Sequence, residues 1–76
     1  MTKLTENIAE IIQERVGPYV SDIKFIHQFL EDNIGHDTEK VIITLEKAYG
    51  EITVESKRTD FRILMNAIRT IEEKND

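Results

Sequence analysis

The sequence predicts a small all-α domain built from four helices. Apolar residues recur at spacings of three and four along most of the chain, which is typical of helices with one buried face. Each of the three glycines follows such a stretch, where helices commonly end. None of these helices can bury its apolar face alone, so we expect residues 1–76 to form a single domain, a compact four-helix bundle.

The first helix is predicted from an apolar stripe near the start of the chain. Thr2 or Thr5 is suited to begin it as the N-cap residue. Gly17 and Pro18 are expected to end it, glycine as a left-handed cap and proline because it cannot continue a helix. The stripe consists of Leu4, Ile8, Ile11, Ile12 and Val16.

A second helix is predicted over residues 22–34, with Ser21 as its cap and Gly35 at its end. On a helix its apolar residues cover one broad face, whereas on a strand they would be divided between both faces. These residues are Ile23, Phe25, Ile26, Phe29, Leu30 and Ile34.

The third segment allows two interpretations. As a helix it begins at Asp37 or Thr38, ends at Gly50, and places Val41, Ile42 and Leu45 on one side. As an alternative, residues 41–46 and 51–56 are rich in β-branched residues and form a hairpin, which gives an α+β fold of helix, β-hairpin or meander, and helix. The positions of the glycines favour the helix.

The last helix is predicted to begin at Thr59 or Asp60, after a connection over residues 51–58 that holds at most a short helical turn. Its stripe consists of Phe61, Leu64, Met65, Ala67, Ile68 and Ile71.

Composition excludes several classes of function. The chain has 76 residues, 39% of them apolar and 33% charged, and no cysteine, which rules out a disulfide framework or a cysteine zinc site. No segment has the apolar character of a signal peptide or a membrane span, so a cytoplasmic protein without a membrane partner is expected. The net charge of −5 argues against a general nucleic-acid binder.

Ordered landmarks along residues 4–71 give the chain a resemblance to the acyl carrier protein family. Leu4 to Gly17 is similar to the family's first helix, and Phe29-Leu-Glu-Asp to its F-x-E-D-L-G segment. Leu45-Glu-Lys-Ala-Tyr-Gly50 followed by Ile52 is similar to L-E-x-x-F-G-x-x-I, and the stripe from Phe61 to Ile71 to the last helix. The resemblance implies a carrier-like four-helix bundle that docks to partner enzymes.

The family attaches phosphopantetheine to the serine of a D-S-L motif, and this chain departs from that motif. Asp37 matches the aspartate, Thr38 stands in place of the serine, and Glu39 replaces the leucine. About three residues are also missing between this point and Leu45. Thr38 is thus either an arm site, carrying an acyl or aminoacyl group, or an N-cap in a carrier that has lost its arm and acts as an interaction module.

Acidic residues flank residues 35–38, the break between the second and third predicted helices. They predict a docking surface for proteins with a basic surface, where opposite charges mainly raise the association rate and the specificity. The alternative is an ordinary solvated face. The predicted docking residues are Glu31, Asp32, His36, Glu39 and Glu46.

A basic cluster in the last third provides the alternative from another class. If the hairpin formed, Lys57, Arg58, Arg62 and Arg69 would suit a small RNA- or protein-binding module, because a basic helix start can contact phosphate. Neither His27 nor His36 has a partner at the spacing of a zinc site, and no nucleophile or phosphate-binding motif occurs, so neither a metal site nor an enzyme is predicted.

Overall fold

Four helices make up most of the structure. A computed structural model describes the backbone of residues 2–75 and the side chains of residues 2–72. The helices are α1 (Glu6–Val16), α2 (Ile23–Asp32), α3 (Thr38–Glu51) and α4 (Glu55–Asn75). Within the described residues the β-type pairing is limited to one antiparallel bridge between Lys3 and Asp37. The predicted all-α bundle is therefore confirmed, and the hairpin over residues 41–56 is wrong.

Helix α1 begins and ends near the predicted residues, but its last turn differs in detail. Thr5 is the N-cap, and its hydroxyl accepts a hydrogen bond of 3.2 Å from the backbone N–H of Ile8. Gly17 closes the helix with right-handed backbone angles (φ −48°), so the predicted left-handed cap is wrong. A Cβ atom at Gly17 would lie 2.9 Å from the carbonyl oxygen of Gln13. Glycine is therefore required here for its lack of a side chain.

Helix α2 is capped by Asp22 and not by Ser21. The Asp22 carboxylate accepts a hydrogen bond of 3.1 Å from the N–H of Phe25. Ser21 instead donates its N–H and its hydroxyl to the two carboxylate oxygens of Asp60 on α4, at 2.8 and 2.9 Å. The helix ends at Asp32, and Gly35 follows in a turn with φ +94°, a conformation that favours glycine.

Helix α3 continues through Gly50 to Glu51, one residue beyond the predicted end. Its β-branched residues do not prevent helix formation, because Val41, Ile42 and Leu45 all lie buried on one face. Packing of this face decides the structure over the weak strand preference of Val-Ile-Ile-Thr.

Helix α4 begins at Glu55, so the predicted caps Thr59 and Asp60 lie inside it and only residues 52–54 connect it to α3. Asp60 is buried, and its carboxylate accepts hydrogen bonds from Ser21. It therefore does not cap α4, which starts about one turn earlier. Arg58 in this first turn donates to the carbonyl oxygens of Tyr49 and Ile52, at 3.0 and 2.9 Å. It thereby satisfies carbonyl groups at the end of α3, where a helix lacks internal partners.

The helices pack in the order α2, α1, α4, α3, with α4 against both α1 and α3. Phe25 of α2 also reaches α4, where its ring stacks on Phe61 with a centroid distance of 5.3 Å. The core holds the buried apolar residues Leu4, Ala9, Ile12, Val16, Ile26, Leu30, Val41, Ile42, Leu45, Phe61, Leu64, Met65, Ala67, Ile68 and Ile71.

Candidate functional site

Thr38, the residue at which a phosphopantetheine arm was considered, has a buried side chain. It is the first residue of α3, is 1% exposed, and donates its hydroxyl to Oε1 of Glu72 on α4 over 2.6 Å. Its N–H donates to the carbonyl oxygen of Thr2 at 2.8 Å. Thr38 is therefore not the N-cap, and its oxygen links α3 to α4. This environment does not suit a phosphopantetheine group, because a transferase could reach the oxygen only after α3 and α4 separated here.

The turn before Thr38 is held by residues 2–4, which we call the N-terminal segment. Leu4 donates its N–H to the carbonyl oxygen of His36 at 2.9 Å, and its own carbonyl accepts from the N–H of Gly35 at 2.8 Å. Asp37 is the N-cap of α3, but its side chain makes no capping hydrogen bond. His36 is exposed, with Nδ1 3.2 Å from Oδ1 of Asn33. Asp37 and His36 thus lie in a braced turn.

The predicted acidic docking residues make different contacts in the structure. Asp32 accepts a hydrogen bond of 2.9 Å from Gln28 on its own helix. Glu46 is paired with Arg69 of α4 at 3.0 Å. Glu39 is exposed and lies two helical turns before Glu46 on α3. Of these residues, Glu31 lines a concave site.

That site is a groove between α1 and α2, which we call the α1–α2 groove. It encloses about 220 Å³ and is lined by Glu6, Ala9, Glu10, Gln13, His27, Glu31 and Ile34. Three of these residues carry carboxylates, and none of the lining residues in the described structure is a lysine or arginine. Ala9 is buried at its floor, whereas Ile34 is 37% exposed at its rim. The groove therefore combines negative charge with accessible apolar surface.

His27 joins the two walls of the α1–α2 groove. Its Nδ1 lies 3.0 Å from Oε1 of Gln13 on α1, and its Nε2 lies 3.2 Å from Oε1 of Glu31 on α2. Both contacts are with oxygen atoms on the groove surface. His27 thus links Gln13 on α1 to Glu31 on α2.

The predicted basic cluster is largely used within the fold. Arg58 caps α3 and lies 4.1 Å over the ring of Tyr49. Arg62 hydrogen-bonds the Tyr49 hydroxyl at 3.2 Å, and Arg69 pairs with Glu46. The hydrogen bond from Arg62, followed by the positive charge of Arg58, lowers the pKa of Tyr49. Lys57 is exposed. Three of the four cations are thus committed to contacts between α3 and α4.

Glu6 and Glu10 are the site residues that sequence reasoning missed. Both lie on α1 outside its predicted apolar stripe, and their spacing of four residues places them next to each other on the helix surface. From the sequence, this spacing predicts a row of negative charge along α1. It does not reveal that α2 lies beside this row and adds Glu31.

Within the described residues, no cluster of three or more histidine, aspartate or glutamate side chains is arranged to hold a metal ion. In the same part of the chain, none of the helices is both long enough and apolar enough to cross a bilayer. Comparison with protein-family models, with curated proteins and with solved structures found no match to this chain.

Proposed function

We propose that this chain is a protein-docking domain that binds a basic segment of a partner protein in the α1–α2 groove. The observation that carries the proposal is the convergence of Glu6, Glu10 and Glu31, from two helices, on a concave surface whose lining holds no lysine or arginine. Such a surface attracts a cationic partner over a distance and excludes anionic ones.

The domain acts in this proposal as a carrier-like bundle without an arm on Thr38. The buried hydroxyl and its bond to Glu72 support this version over acyl transport. In this proposal the resemblance to carrier proteins concerns only the order of the helices. The partner binds in the α1–α2 groove and not at the start of α3.

The arrangement of charges over the molecule supports the choice of this groove. The groove lies between α1 and α2, whereas Arg58, Arg62 and Arg69 lie on α4 and contact residues of α3. A cationic partner is therefore drawn toward the groove without opposition from these three arginines in its lining.

Titration with a short oligolysine peptide, followed by amide chemical shifts, tests the proposal. We expect the shifts to concentrate at Glu6, Glu10, His27 and Glu31. Substituting the three groove glutamates by glutamine removes three ion pairs of about 0.5 kcal/mol each, so the affinity falls about tenfold at low salt.

A matched control removes the same charge elsewhere. Glu14→Gln, Glu39→Gln and Glu51→Gln change exposed residues outside the groove lining. This triple variant is expected to weaken binding about twofold at most, through the net charge alone. Equal weakening by both triple variants, or shifts spread over the whole surface, would contradict a groove site.

A further inference from the structure

We propose that the segment bound in the α1–α2 groove is an amphipathic α-helix of the partner, with basic residues between two apolar anchors. This inference rests on the proposed function and specifies the partner's chemistry. It follows from the shape of the groove, from the backbone of its walls, and from two exposed isoleucines, Ile34 in the lining and Ile23 one turn before His27 on α2.

The walls of the groove are two helices, α1 and α2. Their interior N–H and C=O groups are used within the helices, so an extended peptide finds no strand edge to pair with. Binding must therefore use side chains. A partner helix that lies between α1 and α2 presents side chains every three to four residues, as the two helices of the groove walls do.

One exposed isoleucine lines the groove, and a second lies in line with its α2 wall. Ile34 lines the groove next to Glu31 and is 37% exposed. Ile23 lies one turn before His27 on the same face of α2, is 42% exposed, and lies against the end of α1 at Gly17. Each leaves apolar area in water that a partner side chain can cover.

The spacing of these features defines the partner. Ile23 lies roughly 12 Å before Glu31 along α2, and Ile34 follows Glu31 by three residues, beyond the end of the helix. Glu6 and Glu10 line the same groove from α1. The complementary helix carries leucine-like residues about three turns apart, with lysine or arginine on the same face between them.

Two peptides of identical composition test this inference. In the patterned peptide, leucines lie three turns apart and lysines fill the face between them; in the scrambled peptide, the same residues are distributed around the helix. Isothermal titration is expected to show about tenfold tighter binding of the patterned peptide, because only it covers both isoleucines. Replacing its leucines by serine is expected to remove this preference without changing the domain.

Variants of the domain provide the reciprocal test. Ile23→Ser with Ile34→Ser should bring the patterned peptide to the affinity of the scrambled one. Ile43→Ser, at a residue of α3 that is 55% exposed and outside the groove, is the control and should leave the preference intact. Amide shifts show in each case whether the peptide lies in the groove.

The outcomes separate this inference from the proposed function. Equal binding of both peptides, with shifts in the groove, would overturn the helical partner and leave the docking function standing. Binding of neither peptide in the groove would overturn both.

Discussion

The hydroxyl of Thr38 shows how one side chain bears on the two versions of the function that its sequence motif allows. Its sequence neighbours, Asp37 and Glu39, indicate either an attachment motif or a helix cap. Its partner in the structure is Glu72, which lies 34 positions later. Local sequence cannot reveal a partner at that distance, so neither version follows from the motif alone.

We expect Thr38 to resist modification for this reason. Incubation with coenzyme A and a promiscuous phosphopantetheinyl transferase should leave the intact mass unchanged, while a typical acyl carrier protein treated in parallel is converted. Thr38→Ser should also stay unmodified, because its hydroxyl occupies the same buried position beside Glu72. The lost methyl group is expected to lower the free energy of unfolding by about 1 kcal/mol.

Two results would argue against this account of Thr38. A gain in mass of the unaltered protein would show that an arm is attached and would contradict the armless version. Modification of Thr38→Ser alone would show that the start of α3 opens to a transferase, so that burial is not what protects it.

At the scale of elements, the sequence predicts the existence of helices better than their ends. The apolar stripes of α1 and α3 depend on residues within each helix, and both helices form where predicted. Asp60 was predicted as a possible cap of α4, but it lies inside the helix, and its carboxylate accepts hydrogen bonds from Ser21, 39 positions away. A residue with a capping side chain was therefore mistaken for a cap. The α1–α2 groove was missed for the same reason, since it exists only once two helices are paired.

The glycines provide a paired prediction about helix ends. Gly50 lies inside α3, and a Cβ atom there would meet no heavy atom within 4 Å. Gly50→Ala should therefore raise the free energy of unfolding by about 0.5–1 kcal/mol, the difference in helix propensity. Gly35 has equal space but a φ of +94°. Gly35→Ala should lower the free energy of unfolding by about 1–2 kcal/mol, because alanine is strained in that conformation.

Urea unfolding of both variants checks this pair, and each variant is the control for the other because both add one methyl group in open space. If Gly50→Ala destabilised the protein, α3 would end at Gly50 as its sequence pattern first indicated. A neutral Gly35→Ala would show that the turn before α3 accepts another conformation.

At the scale of the whole molecule, a chain of 76 residues has few buried side chains to spare. Such domains are stable by only about 5–15 kcal/mol, so one core residue is a large share. The loss of a single core residue from the N-terminal segment, residues 2–4, is therefore expected to matter. This segment lies outside the helices, yet it places Leu4 in the core at 1% exposure and braces the turn that leads into α3.

Leu4→Ala therefore tests whether this segment is part of the fold. Loss of a buried leucine side chain is expected to lower the free energy of unfolding by about 2–5 kcal/mol. Ile11→Ala, at a site that is 50% exposed, is the control and should cost less than about 1 kcal/mol. The amides of Gly35 and Thr38 donate to the carbonyls of Leu4 and Thr2, so their hydrogen exchange should accelerate more than that of amides in the middle of α4. Uniform acceleration would mean that Leu4 stabilises the bundle as a whole without specifically holding the turn. A loss no greater than that of the control would mean that α1 to α4 fold without the N-terminal segment.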